Sequence, residues 1–250
     1  MDLEEAIHTR HSTRKFVSEP VPASVMEKLT EICAVPDPID GEHARISIVN
    51  KAIGGKIDTY GVISGAGHFL VLCYTEGDTL APVNAGMKTE RVVLWLTAHG
   101  VATCWLGGTF SAGDAAKAAS PTKSETIPAV VAFGIGAQND TLFSRLTKWM
   151  AKSKQRKPFD ELFEASTGSP FHAALEMMRL APSSLNSQPW RAVATDKRVD
   201  FYTTKATDGA RMDLGIGLCH FALTAPAGQW TSADAPARDG WHYVISYATN

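Results

Sequence analysis

A chain of 250 residues, 44% hydrophobic and 20% charged, has the composition of an ordinary globular protein of one large or two small domains. A net charge of −2 and a pI near 6.4 leave no basic footprint, which makes nucleic acid a poor partner. The four cysteines (Cys33, Cys73, Cys104, Cys219) show no C-x-x-C spacing, the acidic start has no signal core, and no apolar run reaches the roughly 18–20 residues of a membrane span, so the expectation is reduced thiols in a cytoplasmic protein without a membrane partner.

Leu3, Ala6 and Ile7 recur at helical spacing and predict a short amphipathic helix over residues 2–9 that fails near Ser12-Thr13. Ser24 is positioned to cap a second helix with Val25, Leu29 and Ile32 on its apolar face, stopped by Pro36 and Pro38. Strands are predicted over 46–49 and 68–74, with loops at Gly54-Gly55 and Gly65-Ala66-Gly67. Residues 90–99 are apolar almost all round, the pattern of a helix buried on several sides, with Gly100 as its stop. A buried strand follows at 129–133, then a basic stretch from Lys148 to Lys157 closed by Pro158. After Pro158 the pattern restarts, with a helix over 171–180, strands at 192–195 and 199–203, a second buried helix over 214–225, and a strand at 244–247.

The restart reads as a degenerate repeat. Setting Pro36 on Pro182, an offset of 146, places Asp40 on Asn186, Glu42 on Gln188 and Arg45 on Arg191. Further along, Leu96-Thr97-Ala98 falls on Leu223-Thr224-Ala225 at an offset of 127, so the second copy is shorter. Two unrelated helix–strand runs give the same appearance.

Four segments carry chemistry. Arg10-His11-Ser12-Thr13-Arg14 gathers cations and hydroxyls at a helix end, which suits a phosphate ester and equally a solvated terminus. Ala102-Thr103-Cys104-Trp105-Leu106-Gly107-Gly108 follows the first buried helix, and its two glycines let a flat ligand approach the backbone; a tight turn beside a core tryptophan reads the same way. Pro182-Ser183-Ser184-Leu185-Asn186-Ser187-Gln188-Pro189-Trp190 is a polar loop braced by prolines and a tryptophan, as a ligand-contacting loop or a well-capped turn would be. Lys154-Gln155-Arg156-Lys157 alone reads as a solvated basic run. Cys104 beside a tryptophan reads as packing. His8 with His11, and Asp37, Asp40, Glu42 and His43, match no metal-ligand spacing and read as surface residues, so no metal is expected.

Taken together, these segments resemble the nitroreductase superfamily of FMN-dependent oxidoreductases, over most of residues 1–158 and again over 171–225. The resemblance implies an α+β, nitroreductase-like fold with FMN as cofactor and NAD(P)H passing two electrons, by a ping-pong sequence, to a quinone or nitroaromatic acceptor. It implies phosphate contacts for Arg10 and Ser12, with His11 beside them, and a place near the pyrimidine edge for Arg14. Trp105, Leu106, Gly107 and Gly108 match the segment along the isoalloxazine, and Lys154 and Arg156 match a basic pair on the phosphate. Pro182, Ser183, Ser184 and Asn186 match the loop that in ordinary members arrives from the other subunit. No side chain is expected to be catalytic, because the flavin carries the chemistry.

One feature departs from the family pattern: the serine loop lies in the other half of the chain from the arginine–serine segment. The implied organisation is two diverged half-repeats, residues 1–157 and 158–250, forming an intramolecular pseudo-dimer. Such a chain would be a monomer with one FMN. Dehalogenation, flavin breakdown, dehydrogenation, or flavin binding without turnover are the alternatives that the resemblance leaves open.

Overall fold

The computed structural model describes residues 1–40, 44–50, 55–137 and 155–249. Lys154, Gly54, Glu42 and His43, and with them most of the Lys148–Lys157 stretch, lie outside the described residues. Helix α1 (Leu3–Thr9) is closed at its start by a capping box, in which the Glu5 amide donates to Asp2 Oδ1 at 2.8 Å and the Asp2 amide to Glu5 Oε2 at 3.1 Å. It ends at Arg10, where the backbone turns extended. Helix α2 (Ala23–Cys33) begins one residue earlier than its expected cap. Pro22 takes the N-cap position and Ser24 lies inside the first turn, because a fixed φ already starts the helix without a side-chain bond.

Two sheets follow. The first contains β1 (Ala44–Asn50), β2 (His68–Thr75), β3 (Ala102–Leu106), a two-residue β4 (Glu125–Thr126) and β5 (Val130–Gly134). Its order is β1-β2-β5-β3, antiparallel throughout, with β4 paired to β2. The second contains β6 (Phe163–Glu164), β7 (Trp190–Ala194), β8 (Arg198–Thr203), β9 (Gln229–Thr231) and β10 (His242–Ala248), in the order β6-β7-β8-β10-β9. Apart from the parallel β6–β7 pair, it too is antiparallel. Strands β7-β8-β10-β9 therefore repeat the layout of β1-β2-β5-β3.

The helices repeat with the strands. Helix α2 precedes β1 as α6 (His172–Arg179) precedes β7, and α3 (Ala81–Ala98) follows β2 as α7 (Asp208–Thr224) follows β8. The remaining helices are α4 (Ala112–Ala119), capped by Ser111, and a single turn α5 (Phe159–Leu162). Both long helices begin earlier than their apolar runs. In α3, Pro82 sits in the first turn, where no amide is required, and α7 starts at the Thr207 cap, whose hydroxyl accepts from the Ala210 amide at 3.3 Å.

Helices α3 and α7 cross at the centre. A Cβ on Gly86 would strike the Met212 carbonyl oxygen and approach the Ile216 amide to 2.9 Å, and one on Gly215 would strike the Val83 carbonyl oxygen. The contact is reciprocal: Gly86 faces Met212 as Gly215 faces Val83. It relates the two helices at an offset of 129, two residues from the 127 of the Leu-Thr-Ala match. At this offset Asn84 corresponds to Asp213. Around the crossing, Val83, Met87 and Leu94 pack with Leu214, Leu218 and Phe221 in the largest core cluster. Among the described residues no helix is long and apolar enough to cross a membrane, and all four cysteines are free and buried.

The close approach allows no side chain at either glycine. Gly86→Ala is expected to lower unfolding free energy by about 2 kcal/mol or more through overpacking. Gly113→Ala in α4, where a Cβ comes no nearer than 4.0 Å to Ser111 Oγ, should cost nothing or gain up to ~1 kcal/mol. Urea unfolding of the two variants checks the contrast, and equal stability would remove the crossing as the constraint.

Candidate functional site

After α1 the chain runs as an arm along the free edge of β3. Ser12 bridges to Thr103 in parallel, and the Thr13 amide donates to the Thr103 carbonyl at 2.9 Å. Farther on, the Ser64 amide donates to the Arg14 carbonyl at 2.9 Å, the Phe16 amide to the Ser64 carbonyl at 2.8 Å and the Val17 amide to the Ile135 carbonyl at 2.9 Å. This pairing lays Arg10, Ser12 and Arg14 over Cys104. Burial pushes the Cys104 thiol up, opposed by the charges of Arg14 and Arg10 and by a hydrogen bond from Ser12. A thiol raised in this way is a packing group rather than a nucleophile. His11 turns outward, exposed, with Nδ1 donating to the Thr9 carbonyl at 3.2 Å.

Strand β3 leads into Gly107 and Gly108, both exposed, where an added Cβ would meet nothing within 4 Å. Leu106 is buried with Phe16, Cys104 and Val130, so only its backbone faces outward. The half-buried Trp105 donates its indole N–H to Glu90 Oε2 at 2.8 Å. Glu90 is fully buried, and its other oxygen lies 3.0 Å from His220 Nε2 and 3.7 Å from Arg10 Nε. Arg10 Nε itself is buried and has no hydrogen-bond partner among the described residues.

The serine loop comes to the same place from the second sheet. Arg156 donates to the Leu180 carbonyl at 2.9 Å and to Asn186 Oδ1 at 3.1 Å. Asn186 Nδ2 donates to the Gln155 carbonyl at 2.8 Å, and the Lys157 amide to Gln188 Oε1 at 2.9 Å. Burial lowers the Arg156 pKa first, and the like charge of Arg10 lowers it further, followed by that of Arg179. The two arginines, distant in sequence, therefore lie within electrostatic reach of one another.

Inside the loop Ser183 Oγ accepts from the Gln188 amide at 2.9 Å, and the Ser184 amide donates to Asp213 at 3.0 and 3.1 Å. Leu185, Asn186 and Gln188 all hold left-handed φ values of 48–54°, a backbone that side-chain-bearing residues avoid unless anchored. Across the molecule Asn84 does for the first half what Asp213 does for the second. Its Oδ1 accepts from the Ile39 amide at 3.0 Å and its Nδ2 donates to the Ile39 carbonyl at 2.8 Å.

The structure thus joins Arg10, Ser12 and Arg14 around Cys104, Arg10 and Trp105 around Glu90, and Arg156 with Asn186 of the serine loop, with Arg10 and Arg156 in electrostatic reach of one another. The polar ends of Asn186 and Ser183 are engaged within the loop and with Arg156 rather than left open. Glu90, Asp213, His220 and Gln155 are site residues that the sequence reading missed. A signal existed: Glu90 opens the first buried run and Asp213 directly precedes the second, and an acid in an apolar helix calls for a partner.

A family model described as "Putative TM nitroreductase" matches residues 2–225. The chain belongs to this nitroreductase family. Among solved structures, a "putative nitroreductase" of Thermotoga maritima is similar over 99% of this chain and 94% of its own, at 22% identity and a TM-score of 0.68. A nitroreductase family protein of Clostridium difficile is similar over 68% of this chain and 99% of its own, at 17% identity and a TM-score of 0.50. A Bacteroides fragilis nitroreductase with bound FMN covers 57% of this chain and 92% of its own at 18% identity, with a TM-score of 0.44. No curated protein matches the chain by sequence. At these identities the likeness is one of fold, and the nitroreductase-like α+β architecture is established by it.

In this nitroreductase-family chain the serine loop hangs on a buried carboxyl. Burial raises Asp213 from 3.8 to about 7, against the Ser184 amide and Ser187 hydroxyl that favour its charged form. The folded state keeps a proton that the unfolded chain releases, so this stabilisation is full below about pH 4 and is lost as pH rises through 7. Asp213→Asn keeps the shape and an acceptor and removes the titration. Measured by urea unfolding, the variant should gain on the wild type by roughly 2–4 kcal/mol between pH 4.5 and pH 8. A difference that does not change with pH would contradict this.

Proposed function

We propose that the chain is an FMN-dependent oxidoreductase with one cofactor site per chain, at the seam between residues 1–157 and 158–250. The observation that carries the reading is the buried Arg10 Nε without a hydrogen-bond partner among the described residues, within electrostatic reach of Arg156, which Asn186 of the serine loop holds. The two like charges repel one another, and a phosphate dianion relieves that repulsion. The buried Arg10 Nε without a hydrogen-bond partner, and the open space above Gly107 and Gly108, fit a flat ligand with a phosphate tail.

In this reading Arg10, Ser12 and Arg156, with Lys154, hold the phosphate. Arg14 sets a positive charge at the pyrimidine edge, suited to negative charge that develops there. Gly107 and Gly108 offer backbone amides at the ring, and the loop from Pro182 to Asn186 closes the site from the second half. FMN would supply two-electron redox chemistry, with NAD(P)H as donor and a quinone or nitroaromatic as acceptor taking turns on its open face.

The two sheets of matching order, and the reciprocal crossing at Gly86 and Gly215, support reading the halves as a fused, diverged dimer. The Clostridium difficile structure supports it too, since nearly its whole length matches only 68% of this chain. In the second half the tryptophan of β9, Trp230, is packed against Phe201, Phe221 and Tyr247. We accordingly assign a monomer, and the four free thiols fit a reducing, cytoplasmic compartment.

The visible spectrum of the purified protein is the direct test. A yellow protein with one FMN per chain that bleaches with NAD(P)H under anaerobic conditions is expected, and Arg10→Ala combined with Arg156→Ala should be colourless. Full FMN in that double variant would rule out the phosphate site, and two FMN per chain would rule out the single seam. A bound flavin that does not bleach would leave a carrier in place of an enzyme.

A further inference from the structure

Glu90 and His220 are both fully buried at the α3–α7 crossing, and no role above uses them. The Met177 carbonyl, 3.2 Å from His220 Nδ1, can only accept, so Nδ1 carries its proton. The 3.0 Å contact between His220 Nε2 and Glu90 Oε1 then holds one further proton between the two groups. This pair spans the seam: Glu90 stands on α3 of the first half, His220 on α7 of the second. Met177 belongs to α6, the helix that leads into the serine loop.

On its other side Glu90 faces two of the segments that build the site. Oε2 accepts from the Trp105 indole at 2.8 Å, directly ahead of Gly107 and Gly108, and Oε1 lies 3.7 Å from Arg10 Nε. A buried carboxylate is costly unless each oxygen is satisfied, and here all the satisfying groups belong to elements that shape the site. The arrangement does more than fill a core, because an apolar residue at position 90 would pack without fixing the indole or orienting the guanidinium.

We propose that Glu90 is a positioning residue of the site, holding the Trp105 indole and the Arg10 guanidinium in fixed relation while His220 ties it to the second half. The proposal rests on the FMN reading and names the device that keeps the ring end and the phosphate end of that site in register. Groups that orient others in this way are second supports of a binding site, and their loss loosens it without removing a direct contact.

The test uses Glu90→Leu, which keeps the bulk and removes both acceptor oxygens, and Trp105→Phe, which keeps a ring and removes the N–H. FMN dissociation constants by fluorescence titration should rise about tenfold in each. The double variant should be no weaker than the worse single one, since both changes remove the same hydrogen bond. The near-UV circular dichroism of the bound flavin should change alike in Glu90→Leu and Trp105→Phe, because both free the same indole at the ring end of the site. Dissociation constants within about twofold of wild type in the folded variants, or losses that add in the double variant, would overturn the proposal. If Glu90→Leu does not fold, Trp105→Phe and His220→Gln carry the same binding test. Failure of the wild-type chain to take up FMN would overturn the cofactor reading itself, and would be seen before any variant is made.

Discussion

The rest of the structure depends on the backbone-to-backbone approach of α3 and α7. Gly86 and Gly215 remove the side chains that would hold the helices apart, and the carbonyls of Met212 and Val83 come into the space they leave. Once the helices are that close, residues one turn away on each are forced to meet. Asn84 and Asp213 end up at matching positions, each holding a loop from its own half, and Glu90 ends up against His220. A looser crossing would separate these pairs, and with them the arm and the serine loop they hold.

This geometry also explains how a largely apolar helix pair tolerates charge. Glu90 and His220 are fully buried, a position that is costly for an isolated ion. Each nevertheless has named partners: Trp105, Arg10 and each other, with the Met177 carbonyl behind the imidazole. Asp213 is a different case. Its partners are the Ser184 amide and the Ser187 hydroxyl, which do not offset burial, and its carboxyl is pushed up to about 7.

Much of the fold was legible in sequence because periodicity and stop signals are local. Helix α1, helix α2 up to its cap, strands β2 and β8, and the Gly100 stop, which carries a φ of +76°, follow from residue spacing alone. The starts of α3 and α7 were not legible. Pro82 and Gly86 read as helix breakers in isolation, and only the first-turn position of one and the crossing at the other make them compatible with a helix. The segment 102–106 was read for its ligand chemistry and turned out to be a strand as well, since Thr103 alternates with the arm and with β5 on its two sides. Asn186, which the resemblance places at a ligand, is held by Arg156 and the Gln155 carbonyl, contacts that residue spacing does not indicate.

The sequence by itself determined the family, the segments that could bind a phosphate and a flat ring, and the restart of the pattern after Pro158. Those are properties of residue type and spacing. Only the tertiary structure decided that Arg10 and Arg156 come within electrostatic reach, that the second sheet repeats the strand order of the first, and that Glu90 meets His220, Trp105 and Arg10 while Asp213 holds Ser184. These facts depend on which residues the α3–α7 crossing brings together, and proximity across more than a hundred residues leaves no mark in local spacing.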